Sequence, residues 1–96
     1  TLKILIVKNK NRDIINIFPE SLECFVNHGS TNFLCNDFMN FHKNLNSFSV
    51  DLSQNEFKYY VNYHDKLIKK FGSDFRIYPR NNRIIFVGND IYNVYV

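Results

Sequence analysis

The stretch that most constrains this chain runs from Phe48 to Gly72, where a short strand passes directly into a capped amphipathic helix. Ser-Phe-Ser-Val-Asp-Leu alternates polar and apolar residues, the period of a strand with one buried face. Ser53 then supplies a hydroxyl N-cap, and Glu56 three residues on completes a capping box. Phe57, Tyr60, Val61, His64, Leu67, Ile68 and Phe71 recur at i, i+3, i+4 and i+7, so the pattern predicts one helix that Gly72 stops.

What packs around that unit must be aromatic and aliphatic. The 96 residues include 10 Phe and 6 Tyr but no Ala and no Trp. Each fully buried Phe, Ile or Leu contributes roughly 1.5–3 kcal/mol. The length predicts a single domain over residues 1–96, able to fold without disulfide staples. Asn, Lys, Ile, Phe and Tyr have AT-rich codons, and their abundance points to an AT-rich genome, a large DNA virus among the candidates. A start without Met and an end inside an apolar alternation suggest a domain excised from something longer.

The net charge of +3 is too small to be a nucleic-acid signature by itself. No run of 18 apolar residues exists to span a membrane, and Leu2–Val7 is too short for a signal peptide. Two cysteines make no disulfide framework, and no Asn-x-Ser/Thr sequon occurs; both lean toward an intracellular, reducing compartment.

Along the rest of the chain, the apolar run Leu2–Val7, a polar turn Lys8–Arg12 and the strand Asp13–Phe18 predict an N-terminal β-hairpin. Pro19-Glu20 suits a first helical turn, with Leu22, Phe25 and Val26 buried and Gly29 at the end. Ser30 is placed to cap a second helix carrying Leu34, Phe38, Phe41 and Leu45 on one stripe. Phe75 to Val96 predicts a three-strand meander turning at Asn81-Asn82 and Gly88-Asn89. That register sets Arg80 opposite Arg83, lines up Tyr78, Ile85 and Tyr92, and groups Arg76 with Asp90. The expected fold is therefore α+β: an N-terminal hairpin, about three helices and a C-terminal antiparallel meander.

Few residues offer chemistry. Cys24, His28, Cys35 and His42 are potential zinc ligands, and Cys24 and His28 at i and i+4 would share a helix face. Their spacing matches no standard finger, so no metal and no cofactor is assigned. A Cys/His nucleophile lacks an orienting third group and an oxyanion site, and adjacent His64 and Asp65 diverge around a helix, so no catalytic residue is assigned. Ile85-Phe86-Val87-Gly88-Asn89 looks like an RNA-recognition strand but lies too near the end for that fold, and serves a hairpin turn instead.

Surfaces are more informative. At about 3.6 residues per turn, Tyr59, Tyr63, Lys66 and Lys70 form one stripe opposite the core stripe. Arg76, Tyr78, Arg80, Arg83 and Tyr92 on one face of the meander make a parallel case, so the expected partner-binding residues are those of these two basic, aromatic surfaces. Tyr is enriched in protein hot spots, and Tyr with Lys or Arg also stacks bases and holds phosphates.

The opening hairpin, the Pro-Glu helix start, and Phe48-Ser-Val-Asp-Leu-Ser53 followed by Phe57-x2-Tyr60-Val61-x-Tyr63 resemble the BTB/POZ and elongin C family over residues 2–67. The resemblance implies a protein-interaction module, often dimeric or docked to a ubiquitin-ligase scaffold. The hairpin and Pro-containing helix start are also similar to a ubiquitin-like fold. The closing meander departs from the BTB pattern, which would continue with helices. The expected function is a non-enzymatic protein-interaction domain, self-association included, with the strand Ile91–Val96 free to augment a partner's sheet. A small nucleic-acid-binding domain is the alternative.

Overall fold

Cys24-Phe25-Val26 is the run around which the fold is organised, and it is a strand. In the computed structural model, which describes residues 1–41, 44–72, 74–78 and 82–87, it opens β2 (Cys24–Thr31), buried on both faces over its first four residues. β1 (Ile4–Val7) and β3 (Ser47–Leu52) flank it, both parallel to it. β5 (Arg83–Val87) pairs antiparallel with β3, and β4 (Phe75–Tyr78) with β5. The result is one mixed five-stranded sheet in the order β1-β2-β3-β5-β4.

This overturns the expected N-terminal hairpin and C-terminal meander. β1 has a parallel partner, and a parallel neighbour requires a crossover rather than a tight turn. That crossover contains a 3-10 helix, Arg12–Ile17, where a second strand was expected. The helix expected from Pro19 to Gly29 is replaced mainly by β2. Leu22, Phe25 and Val26 fit helical spacing, but a short apolar run fits a strand buried on both faces equally well. The second expected helix is reduced to α1 (Cys35–Met39). Of the meander, β4 and β5 form, with Tyr78 opposite Arg83 and Arg76 opposite Ile85. Arg83 thus pairs two residues away from the expected Arg80. Arg80 and the strand Ile91–Val96 lie outside the described residues.

The strand-to-helix unit Phe48–Gly72 is present but divided. Ser53 caps α2 (Gln54–Tyr59), its side chain accepting from the Glu56 amide at 3.4 Å. A 3-10 turn, Tyr60–Asn62, interrupts the helix before α3 (His64–Phe71). Gly72 ends α3 at φ 85°, a conformation that favours glycine.

These elements bury one sheet face under an aromatic core. Phe48 is fully buried at its centre, with ring centroids of Phe38, Phe41, Phe71, Phe75 and Phe86 5.2–6.0 Å away. Leu67 from α3 and Ile14 from the 3-10 helix join the same core. The opposite face carries a smaller apolar cluster, Cys24, Val26 and Ile85.

Two polar knots fix the loops. The buried Asn27 side chain accepts from the amides of Asn9 (3.0 Å) and Gly29 (2.9 Å) and donates to Asn9 O and Thr31 Oγ1. The Asn9 backbone lies so close to Gly29 that an added Cβ would sit 2.4 Å from its carbonyl oxygen, which leaves room only for glycine. Arg12 forks onto buried Asp37 with two 3.0 Å bonds, tying the first crossover to α1. The Asp37 side-chain bond and charge push the Arg12 guanidinium further toward its charged form. No described helix is long and apolar enough to cross a membrane.

Candidate interaction surface

β1 ends the sheet, and among the described residues no strand pairs with its outer edge. The Lys3 carbonyl accepts from the Glu23 and Cys24 amides. Backbone groups of alternate residues point to opposite sides of a strand, so those of Leu5 and Val7 point toward β2. Those of Ile4 and Ile6 point outward. The side chains of Ile4 and Ile6 lie on the sheet face away from the helices and are 46% and 64% exposed, with Leu2 at 47%. Natural edge strands commonly carry a charge, a proline or a bulge that blocks further pairing. From Ile4 to Val7 this edge has none. The sequence signal was the uninterrupted Ile-Leu-Ile-Val run, but pairing it with Asp13–Phe18 in a hairpin concealed the free side.

On the same sheet face, toward its other end, Arg83 is 5% exposed and anchors a polar cluster. Its Nε donates to Asp51 Oδ1 at 2.6 Å and its Nη1 to Ser49 Oγ at 2.8 Å. Its Nη2 lies 2.9 Å from His28 Nδ1. Arg83 can only donate, so His28 Nδ1 is the acceptor of this contact. Ser, His and Asp are thus gathered by one guanidinium, each accepting from it. Ser49 is fully buried and accepts from Arg83, an arrangement for holding strands β2, β3 and β5 together. A nucleophile needs access and a base.

The expected basic and aromatic residues fall in several different places. Tyr59 is 61% exposed, Tyr78 is 39% exposed, and Lys66 and Arg76 are also at the surface. Tyr63 is half-buried, its ring 5.6 Å from that of Tyr60. Burial, with smaller contributions from Cys35, Glu56 and Asp37, pushes its phenol up to about 12. Lys70 reaches from α3 to the C-terminal end of α1, where its Nζ donates to the carbonyls of Phe38 (3.0 Å), Met39 and Phe41 (3.1 Å). A lysine at a helix C-terminus satisfies carbonyls that have no partner within the helix. Burial pulls this ammonium below the usual lysine range. The 3-10 turn breaks the single stripe on which Tyr59, Tyr63, Lys66 and Lys70 were expected. Arg80 and Tyr92 lie outside the described residues.

The zinc geometry changes as well. Cys24 and His28 occupy one strand, about 13 Å apart by strand rise, and not one helix face. Cys35 sits on α1, and His42 is outside the described residues. Burial pushes the Cys24 thiol up, away from the reactive thiolate. His64 Nδ1 lies 3.7 Å from Asp65 Oδ1, closer than the expected divergence around a helix, yet beyond hydrogen-bonding distance.

Comparisons with protein-family models, with curated proteins and with solved structures give no match. The opening hairpin that contributed to the BTB/POZ resemblance is not formed.

Proposed function

We propose that this chain is a non-enzymatic protein-interaction domain, and that it engages its partner by lengthening its sheet at the outer edge of β1. The observation that carries the proposal is the pair Ile4 and Ile6, exposed apolar side chains beside outward-pointing backbone groups on a terminal strand. Strand addition draws affinity from main-chain hydrogen bonds and specificity from alternate side chains, and this edge offers both. The free thiols of Cys24 and Cys35 fit a reducing, intracellular setting. A nucleic-acid-binding reading has less support, because Lys70 is occupied at the end of α1 and Arg83 is buried beside Asp51.

Random-peptide display against the folded domain tests the proposal. Selected binders should carry apolar residues at alternate positions and lose at least tenfold in affinity to Ile6→Lys. Binders indifferent to Ile6→Lys, or none at all, would contradict it.

A further inference from the structure

We infer that the partner strand is the β1 of a second copy, paired antiparallel about Leu5; this rests on the edge-strand reading above. The segment Leu2-Lys3-Ile4-Leu5-Ile6-Val7-Lys8 is self-complementary about that centre. Ile4 then faces Ile6 of the second copy, and Ile6 faces its Ile4. Lys3 faces Val7 and Lys8 faces Leu2, so no lysine opposes a lysine, a like-charge pairing that would be unfavourable.

Backbone parity agrees with this register. In an antiparallel ladder, residues directly opposite one another exchange both hydrogen bonds when their backbone groups point across the interface. Ile4 and Ile6 are the β1 residues whose groups point outward, since Lys3 O is bound to β2. The Ile4–Ile6 pairs therefore form hydrogen-bonded pairs on both sides of the axis, with Leu5 opposite Leu5 in the non-hydrogen-bonded position between them. A register moved by one residue would set outward groups against inward ones.

Charge agrees too. Glu20 and Glu23 lie near the N-terminal end of β1 beside Lys3, whose Nζ pairs with Glu23 Oε2 at 2.7 Å, so Lys3 offsets one of the two carboxylates and Glu20 keeps this end acidic. Lys8 and Lys10 are exposed just beyond its C-terminal end. Antiparallel pairing sets each copy's lysine end beside the other's glutamate end. A two-fold operation uses one edge per copy and closes, so it yields a dimer and not a fibre. It also makes the apolar strip of Val26, Ile6 and Cys24 continuous across both copies.

Sedimentation equilibrium of the full chain and two variants tests the inference. The wild type should move from 11.5 kDa toward twice that mass as concentration rises, and Ile6→Lys should remain at the monomer mass while keeping the wild-type circular dichroism. Opposed non-hydrogen-bonded residues lie about 4.5 Å apart at Cα, within disulfide reach. Leu5→Cys should accordingly form a covalent dimer on mild oxidation under conditions where the wild type does not. A dimer that tolerates Ile6→Lys, or one in which Leu5→Cys fails to cross-link, overturns the register. A wild type monomeric at every concentration overturns self-pairing; if Ile6-dependent peptides still bind, the edge-strand reading survives, and if none do, both fail.

Discussion

A buried guanidinium must find acceptors for its N–H groups, and Arg83 finds Asp51, Ser49 and His28 on two neighbouring strands. Removing one member of such a cluster leaves a charge without its partner, which costs more than the intact pair contributes. Arg83→Ala should lower the unfolding free energy in urea by about 3 kcal/mol, whereas exposed Arg76→Ala should shift it by less than about 0.5 kcal/mol. Equal, small effects would place Arg83 among ordinary surface cations. Nothing local in the sequence marks Arg83 as the buried one: Arg76 lies between Phe75 and Ile77, and Arg83 opens the apolar run Ile84–Val87. Long-range pairing distinguishes them: antiparallel β3 sets Asp51 opposite Arg83 with Ser49 nearby, and parallel β2 beside β3 adds His28. Lys70 was concealed in the same way, since the carbonyls it caps lie at the end of α1 and just after it, at least 29 positions earlier.

At the scale of elements, the break between α2 and α3 turns Tyr63 inward, and this gives the helix region a pH signature. The phenol ionises near 10 in an unfolded chain and near 12 when folded. Between those values the folded state holds more protons, so stability present below pH 10 is lost as pH rises toward 12. Tyr60, also raised chiefly by burial, acts in the same direction. Urea midpoints should fall between pH 9 and pH 11, and Tyr63→Phe should make the fall shallower by about 1 kcal/mol. An unchanged slope would mean that Tyr63 is solvated. Legibility also divided at this scale. Ser53, Glu56, Gly72 and the Phe48–Leu52 alternation were readable because caps and alternation are local. β2 was not, because Cys24-Phe25-Val26 satisfies both periods and only its two neighbours decide. Nothing local in Tyr60–Asn62 marks the 3-10 turn.

For the whole molecule, a core of Phe rings covers one sheet face, and among the described residues β1 ends the sheet. The candidate site was legible in the sequence only as an apolar run, since its function depends on which side of β1 stays unpaired. Of the expected aromatic and basic residues, Lys70, Tyr63 and Arg83 are taken up by a helix cap, a core edge and a buried ion pair, while Tyr59, Lys66, Arg76 and Tyr78 stay at the surface. The most direct test is amide hydrogen exchange at β1, followed by NMR across a dilution series. Ile4 and Ile6 should exchange fast in dilute solution and gain at least tenfold protection as concentration rises, while Leu5 and Val7, bonded to β2, stay protected throughout. Fast exchange at Ile4 and Ile6 at all concentrations, or protection already complete in the monomer, would contradict an interface at this edge.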